Sequence, residues 1–345
     1  MPDFLRWELN AAKSGKPLPA GEFIWSPAAH FLFRKCPRAW FFRRYLAQGG
    51  WKESAADPSA HAYLLKYLDH TDGWMSSAAE ESLTHALLEI MPFSGPARTS
   101  ALTEAFQTRV SAHLIRARNE LADSSYLTDP KLTSFSELHN ATGEYESLAE
   151  LLGMIQYRFR EFFRLWENSV LPRTVAEVDP LSWRLPPEYR QFPINGILVS
   201  VRPWMYAVYR RTIAAWTVRF TFSDPSAASA YPDGDDEEYG LPERVFAAWC
   251  ARKYPDFEVE VHKIFISPDG MVSRIEVPLP VSPDFVLASA DEMIRTANLP
   301  GGLKSELFPR LEDSSKCSGC RFKELCETEP VPPEDETIDG DAENA

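Results

Sequence analysis

Three cysteines stand close together near the end of the chain, in CSGCRFKELC, where Cys317, Cys320 and Cys326 form a Cys-x2-Cys-x5-Cys run. Thiolate sulfur is a soft metal ligand, and this spacing lets a short loop and one helical turn wrap three donors around one inorganic centre. A four-coordinate centre needs one more. Cys36, in RKCPRAW, is the available supplier, because Cys250 follows the apolar stretch Val245-Phe246-Ala247-Ala248-Trp249 and reads as a small buried hydrophobe. On spacing alone the four thiols suit either structural zinc or an iron-sulfur cluster. An odd total of five cysteines in a chain of 345 residues speaks for metal rather than disulfides.

Charge is the second chemical feature. The formal net charge is -14, which excludes a uniformly basic surface, yet its distribution is uneven. Eight Asp or Glu and no Lys or Arg lie from Glu327 to the end, and Asp233, Asp235, Asp236, Glu237 and Glu238 form another acidic cluster. Between Phe23 and Lys52 there is no acid, while Arg34, Lys35, Arg38, Arg43 and Arg44 crowd together. Those five are candidate contacts for nucleic-acid phosphates, with ion pairs or a solvated face as the plainer reading. Trp40, Phe41, Phe42 and Tyr45 beside them are too consecutive for one stacking platform and are expected to pack in the core.

The elements that must carry these residues follow from periodicity. Ser26 before Pro27 reads as an N-cap and opens a helix predicted over 26–46, with Cys36 in its middle and Gly49-Gly50 as the stop. Helices are predicted over 76–91, carrying His85, and over 100–123. Leu148, Leu151, Leu152, Ile155, Phe159, Phe162 and Trp166 mark a long amphipathic helix. After Pro172 the pattern turns to period two and β-branched runs, predicting strands over 174–178, 196–201, 213–222 and 257–266, with a helix over 241–253 between the last two. Another helix over 282–297 leads to the cysteine segment. The fold class expected is α/β.

The expected organisation is a helical region 1–172 carrying the first ligand cysteine, an α/β core 173–298, a cysteine segment 299–329 and a disordered acidic tail 330–345. No stretch approaches the roughly 20 apolar residues of a membrane span, and MPDFLRWELNAAKSGK lacks the apolar core of a secretory signal. A cytoplasmic protein with no membrane partner is expected.

WSPAAHFLFRKCPRAWFFRRYL at the front and KCSGCRFKELC at the back, with a strand-rich middle, together resemble the iron-sulfur branch of the PD-(D/E)XK nucleases. That branch includes the RecB-like exonucleases of CRISPR adaptation and the nuclease domains of helicase-nuclease repair complexes. The resemblance spans nearly the whole chain and is most specific at its two ends. It implies a restriction-endonuclease-like core, a 4Fe-4S cluster on Cys36, Cys317, Cys320 and Cys326 that staples the terminal segments together, and nucleic acid, DNA first, as the partner. A partner nuclease or helicase is also implied.

The catalytic middle departs from the family pattern. Such nucleases hold divalent cations on an Asp of one strand and an Asp or Glu of the next, with a Lys two residues on. In GILVSVRPWMYAV the metal-binding Asp falls on Trp204, or on Val199 in another register, and in IAAWTVRFTF the carboxylate-x-Lys signature falls on Thr217, Val218 and Arg219. A hard cation needs anionic oxygen ligands that these side chains lack. Arginine replaces a compact ammonium with a planar, permanently charged fork. His85 matches the upstream-helix histidine of the family and would be a relic of the site; a lone histidine is more often simply structural. His30, His61, His70, His113, His139 and His262 show no ligand spacing.

The expectation is therefore a catalytically inactive nuclease-like iron-sulfur protein, binding nucleic acid or acting as a scaffold in a DNA-processing or genome-defence complex. Two alternatives stand beside it. One is an active metal-dependent nuclease with ligands rearranged onto Glu177, Asp179 or His85; the other is an acidic interaction protein that imitates nucleic acid.

Overall fold

The computed structural model describes residues 23–50, 52, 57–122, 133–135, 138, 147–184, 190–201, 204–221, 238, 240–267, 269–298, 304–311, 317 and 320–328. The expected acidic tail, His139 and most of the 233–237 acidic cluster's neighbourhood lie outside the described residues.

Proline decides the start of the chain. Ser26 caps helix α1 (Pro27–Lys35), its hydroxyl accepting from the Ala29 amide at 3.2 Å. The single helix expected over 26–46 is broken, because a residue before proline is pushed out of the helical region. Cys36 precedes Pro37 and is extended, at φ -161° and ψ 106°; it caps a second helix, α2 (Pro37–Phe41), its Sγ accepting from the Ala39 amide at 3.4 Å. One wide π turn, Phe42–Leu46, follows. Cys36 thus sits at a helix junction and not in mid-helix.

Helices α3 (Asp57–Tyr67), α4 (Thr71–Glu89), α5 (Pro96–Ala122) and α6 (Leu148–Glu167) complete the helical half. On α6 the three-and-four spacing buries Leu151, Ile155, Phe159, Phe162 and Trp166, all at most 2% exposed. The strand expected over 174–178 is instead helix α7 (Leu171–Ala176). Pro172 fits its first turn, Arg173 and Glu177 pair at 2.6 Å one turn apart, and Val175 and Ala176 bury against the helical core. The boundary expected after residue 172 falls inside this helix.

The strands build two mixed sheets, so the chain is α/β as expected. In the smaller, β1 (Ile24–Trp25) runs parallel to β4 (Ile197–Val201), which pairs antiparallel with β3 (Arg190–Ile194). Asn195 and Gly196 take positive φ in the β3–β4 turn. The larger sheet has the order β2-β5-β6-β7-β8, formed by Trp183–Arg184, Tyr206–Tyr209, Thr212–Phe220, Glu258–Ser267 and Gly270–Glu276. Strands β6 and β7 are parallel, and α8 (Leu241–Lys253) supplies the crossover that parallel strands require.

Strand β6 divides two cores by its period of two. Ile213 and Ala215 face a core shared with the N-terminal segment, α8 and α9 (Pro283–Ala297); Ala214, Trp216, Val218 and Phe220 face one built with α4, α5, α6 and α7. The first core also takes in the end of the described chain. Phe41 stacks on Phe308 at 4.7 Å, Phe42 meets Phe322 at 5.8 Å, and Arg38 donates from Nε to the Phe308 carbonyl at 2.9 Å across 270 positions of sequence. Fully burying a side chain such as Phe308 contributes about 1.5–3 kcal/mol. Trp40, Phe41, Phe42 and Tyr45 are all buried, so the aromatic run is core as expected.

Candidate functional site

Two cavities collect the residues singled out in the sequence. The first, of about 330 Å³, is lined by Cys36, Cys317, Cys320 and Cys326, with Phe42, Phe322 and Arg310 among its other walls. The helix junction at Pro37 supplies Cys36. The 317–326 turn is closed by the Cys320 amide donating to the Cys317 carbonyl at 3.0 Å, and α10 (Lys323–Thr328) carries Cys326.

The thiols act on one another electrostatically. Burial chiefly raises Cys320 above the ordinary thiol value; Cys36 and Cys317 raise it further, against the Phe322 amide and Lys35. Burial likewise raises Cys326, with Arg310 and Arg38 pulling it down and Cys36 and Cys320 pushing it up. The donor set fits a thiolate-ligated centre: soft sulfur on every ligand, a shared cavity, and Lys35, Arg38 and Arg310 close enough to offset negative charge. Among the described residues, no three His, Cys, Asp or Glu side chains already converge on a single metal-ion position. Cys250 stands apart, 0% exposed within α8, and burial pushes its thiol far up, as in an inert core cysteine.

The second cavity, of about 510 Å³, lies over the end of β6. Trp204 and Arg219 line it, and so do Arg43, Arg44, Lys66 and Glu80. The first turn of α1, from Ser26 to Ala29, and Pro242 in the first turn of α8 complete part of the wall. Thr217 does not reach it: the side chain is 0% exposed, paired in register with Lys263 of β7. Val218 belongs to the helical core and Val199 is fully buried. Lys263 itself is held by Glu243 of α8 at 3.0 Å and Glu276 of β8 at 2.6 Å, a largely buried ionic triad between helix and sheet.

Glu80 is a residue that sequence reasoning missed. Strand β5 pairs with β6 only from Thr212 to Ala215, which leaves the later outward amides of β6 in need of acceptors. Helix α4 provides them one turn apart. Glu80 Oε1 accepts from the Val218 amide at 3.2 Å and from Arg219 Nη1 at 3.0 Å, and Ser76 Oγ accepts from the Phe220 amide at 2.9 Å. Glu80, the one carboxylate lining the cavity among the described residues, is therefore already engaged.

His85 is not part of this site. It is exposed on α4, 3.9 Å from Glu81, which lies equally close to His113. Glu177 pairs with Arg173 at the end of α7, and Asp179 accepts from the Leu181 amide at 3.0 Å on an exposed turn, so neither approaches Trp204 or Arg219. The basic run also divides. Arg34 reaches toward Glu238 at 3.7 Å, and Lys35 acts on Cys320. Arg38 is 3% exposed and turned to the Phe308 carbonyl, which corrects its reading as a nucleic-acid contact: packing of the chain end over α2 buries it. Arg43 and Arg44 alone face the second cavity. There burial chiefly, then Arg43 and Arg44, lower the Lys66 ammonium below the ordinary lysine value.

Beside this cavity a buried relay fixes α1 to α9. Trp25 donates to Ser289 Oγ at 2.8 Å, the same oxygen lies 2.7 Å from His30 Nδ1, and His30 Nε2 lies 3.0 Å from Glu238. The carboxylate places the ring proton on Nε2, so Ser289 donates to Nδ1. Among the described residues, no helix is long and apolar enough to cross a membrane.

No family model matches the sequence, and no curated protein matches it. Among solved structures, one titled "Crystal structure of SSO0001" is similar, with 13% sequence identity, a TM-score of 0.27, and coverage of 57% of this chain and 82% of that one.

Proposed function

We propose that this chain is a non-catalytic, nuclease-like iron-sulfur protein that binds nucleic acid, DNA in the first place, and serves as a scaffold for a partner nuclease or helicase. The observation that carries the reading is the pairing of the two cavities. Thiols from opposite ends of the sequence line one of them. The other presents Arg43, Arg44, Lys66, Arg219 and Trp204 with, among the described residues, a single carboxylate, Glu80.

A divalent ion held for hydrolysis needs several anionic oxygens, and four cations around one carboxylate repel it. The same field attracts a polyanion despite the acidic chain average. In the thiol cavity, Cys36, Cys317, Cys320 and Cys326 would hold a 4Fe-4S cluster, which joins the two ends of the chain; zinc is the other occupant that four thiolates accept. The residues Glu177, Asp179 and His85, which a rearranged catalytic centre would have used, lie elsewhere among the described residues.

Anaerobically purified protein is assayed for iron, acid-labile sulfide and zinc, and gel-shift titrations follow with single- and double-stranded DNA and RNA. Stoichiometric iron and sulfide, strand binding, and no cleavage with magnesium or manganese are the expected results. Colourless protein with one zinc would replace the cluster assignment, metal-dependent cleavage would restore the enzyme reading, and absence of any strand binding would remove the function proposed.

A further inference from the structure

We infer that the cavity over β6 takes one phosphate group of a nucleic-acid strand directly, without a bridging divalent metal, with Arg43 and Lys66 as its ligands and Trp204 as the surface for the adjoining base. This rests on the nucleic-acid reading above and assigns its point of contact.

Four observations converge on it. The charged groups acting on Lys66 are Arg43 and Arg44, both cations, so an anion bound between them relieves repulsion and not only solvation. Glu80 is tied to Arg219 and the Val218 amide, and among the described residues the cavity's lining holds more cations than carboxylates. The first turns of α1 and α8 both border the space, and helix N-termini favour anions. Finally, Trp40 lines the same cavity, is 1% exposed, and its indole Nε1–H finds no acceptor among the described residues. An unsatisfied indole N–H leaves a partial positive charge in the cavity's wall, which favours an anion nearby.

The size and the aromatic wall identify the phosphate's source. A volume of about 510 Å³ is far more than a bare phosphate fills and lies within the range of pockets that enclose whole small molecules. Trp204 borders it half-buried, held edge-on by Phe246 at 5.3 Å, and a fixed indole accepts any base by stacking.

The test is a fluorescence-polarisation titration of the full cluster-loaded chain with labelled single-stranded DNA in EDTA, with inorganic phosphate as a competitor. Arg43→Gln and Lys66→Met are each expected to weaken strand binding about tenfold. Each should also flatten the dependence of log affinity on log salt by about 0.7. Trp204→Ala weakens binding about tenfold through lost stacking, and Arg164→Gln on the exposed face of α6 leaves it unchanged. Arg43 is exposed, so its variant decides the matter even if Lys66→Met folds poorly.

Strand binding that survives both Arg43→Gln and Lys66→Met overturns this site while leaving nucleic-acid binding in place. Strand binding abolished by EDTA overturns the metal-free mode. Failure of the wild-type chain to bind any strand removes the broader function, and phosphate uptake lost in the two variants would then assign the cavity to free phosphate instead.

Discussion

The two cavities of this protein are built by the same terminal segment and end in opposite chemistry. At the cysteine cavity the segment from Ser26 to Leu46 contributes Cys36, and the chain end contributes three more thiols. Burial chiefly, and then the neighbouring thiols, raise Cys320 and Cys326, so the four sulfurs of this cavity sense one another. At the cavity over β6 the same segment contributes Arg43 and Arg44, the β4–β5 connection contributes Trp204, and β6 contributes Arg219. One cavity concentrates cation ligands and the other concentrates cations. The contrast separates two uses of one scaffold: packing brings distant residues together in both, and the sign of the charge then decides what each can hold.

The sharpest way to break this contrast is to remove a thiol. Cys320→Ser should abolish stoichiometric metal binding, read by elemental analysis and by broad absorbance near ~400 nm, whereas Cys250→Ser should retain the metal in full. Equal loss from both variants would end the distinction between ligand and core cysteines. Next in size is the ionic triad that ties α8 to the larger sheet. Lys263→Met leaves Glu243 buried without its cation and should cost about 3–5 kcal/mol in a denaturant titration, with no change in metal content.

A gentler change probes the second cavity alone. Glu80→Gln keeps an acceptor for the Val218 amide but deletes the cavity's carboxylate, so single-stranded DNA should bind several-fold tighter, by polarisation. Weaker binding would mean that Glu80 itself meets the ligand.

The smallest effect is on acid stability. Burial chiefly lowers His30 and His262 below the ordinary value of 6.5, against the carboxylates of Glu238 and Glu260 respectively. The folded form prefers both rings neutral, so the unfolded chain takes up protons first. Stability, read from urea midpoints, should be greatest above pH 6.5 and fall as the pH drops from there through the lowered folded values.

Much of this architecture is legible in residue spacing. Helix α8 matches the 241–253 expectation, and the apolar stripe of α6 is buried as its period requires. The 174–178 segment misled because Thr174, Val175 and Val178 are β-branched; a local ion pair and burial against the helical core outweighed that preference. Pro37 carried the signal for the break at Cys36, but a run of aromatic and basic residues on both sides masks it. Glu80 was harder to find. Its one-turn spacing from Ser76 is visible in the sequence, yet its purpose depends on where β5 stops pairing, which no local pattern states. The five basic residues likewise form one cluster in sequence and four destinations in space, because a helix junction and a π turn redirect the chain between them.

Phe308 and Phe322, seated on Phe41 and Phe42, carry a consequence for assembly. Ring packing and the Arg38 bond hold the late segment in place through contacts made by carbon and nitrogen, with no sulfur involved. Loop closure over most of the polypeptide is thus achieved by docking of the two segments. On the cluster reading proposed above, stripping the metal should then leave a refillable shell instead of an unfolded chain.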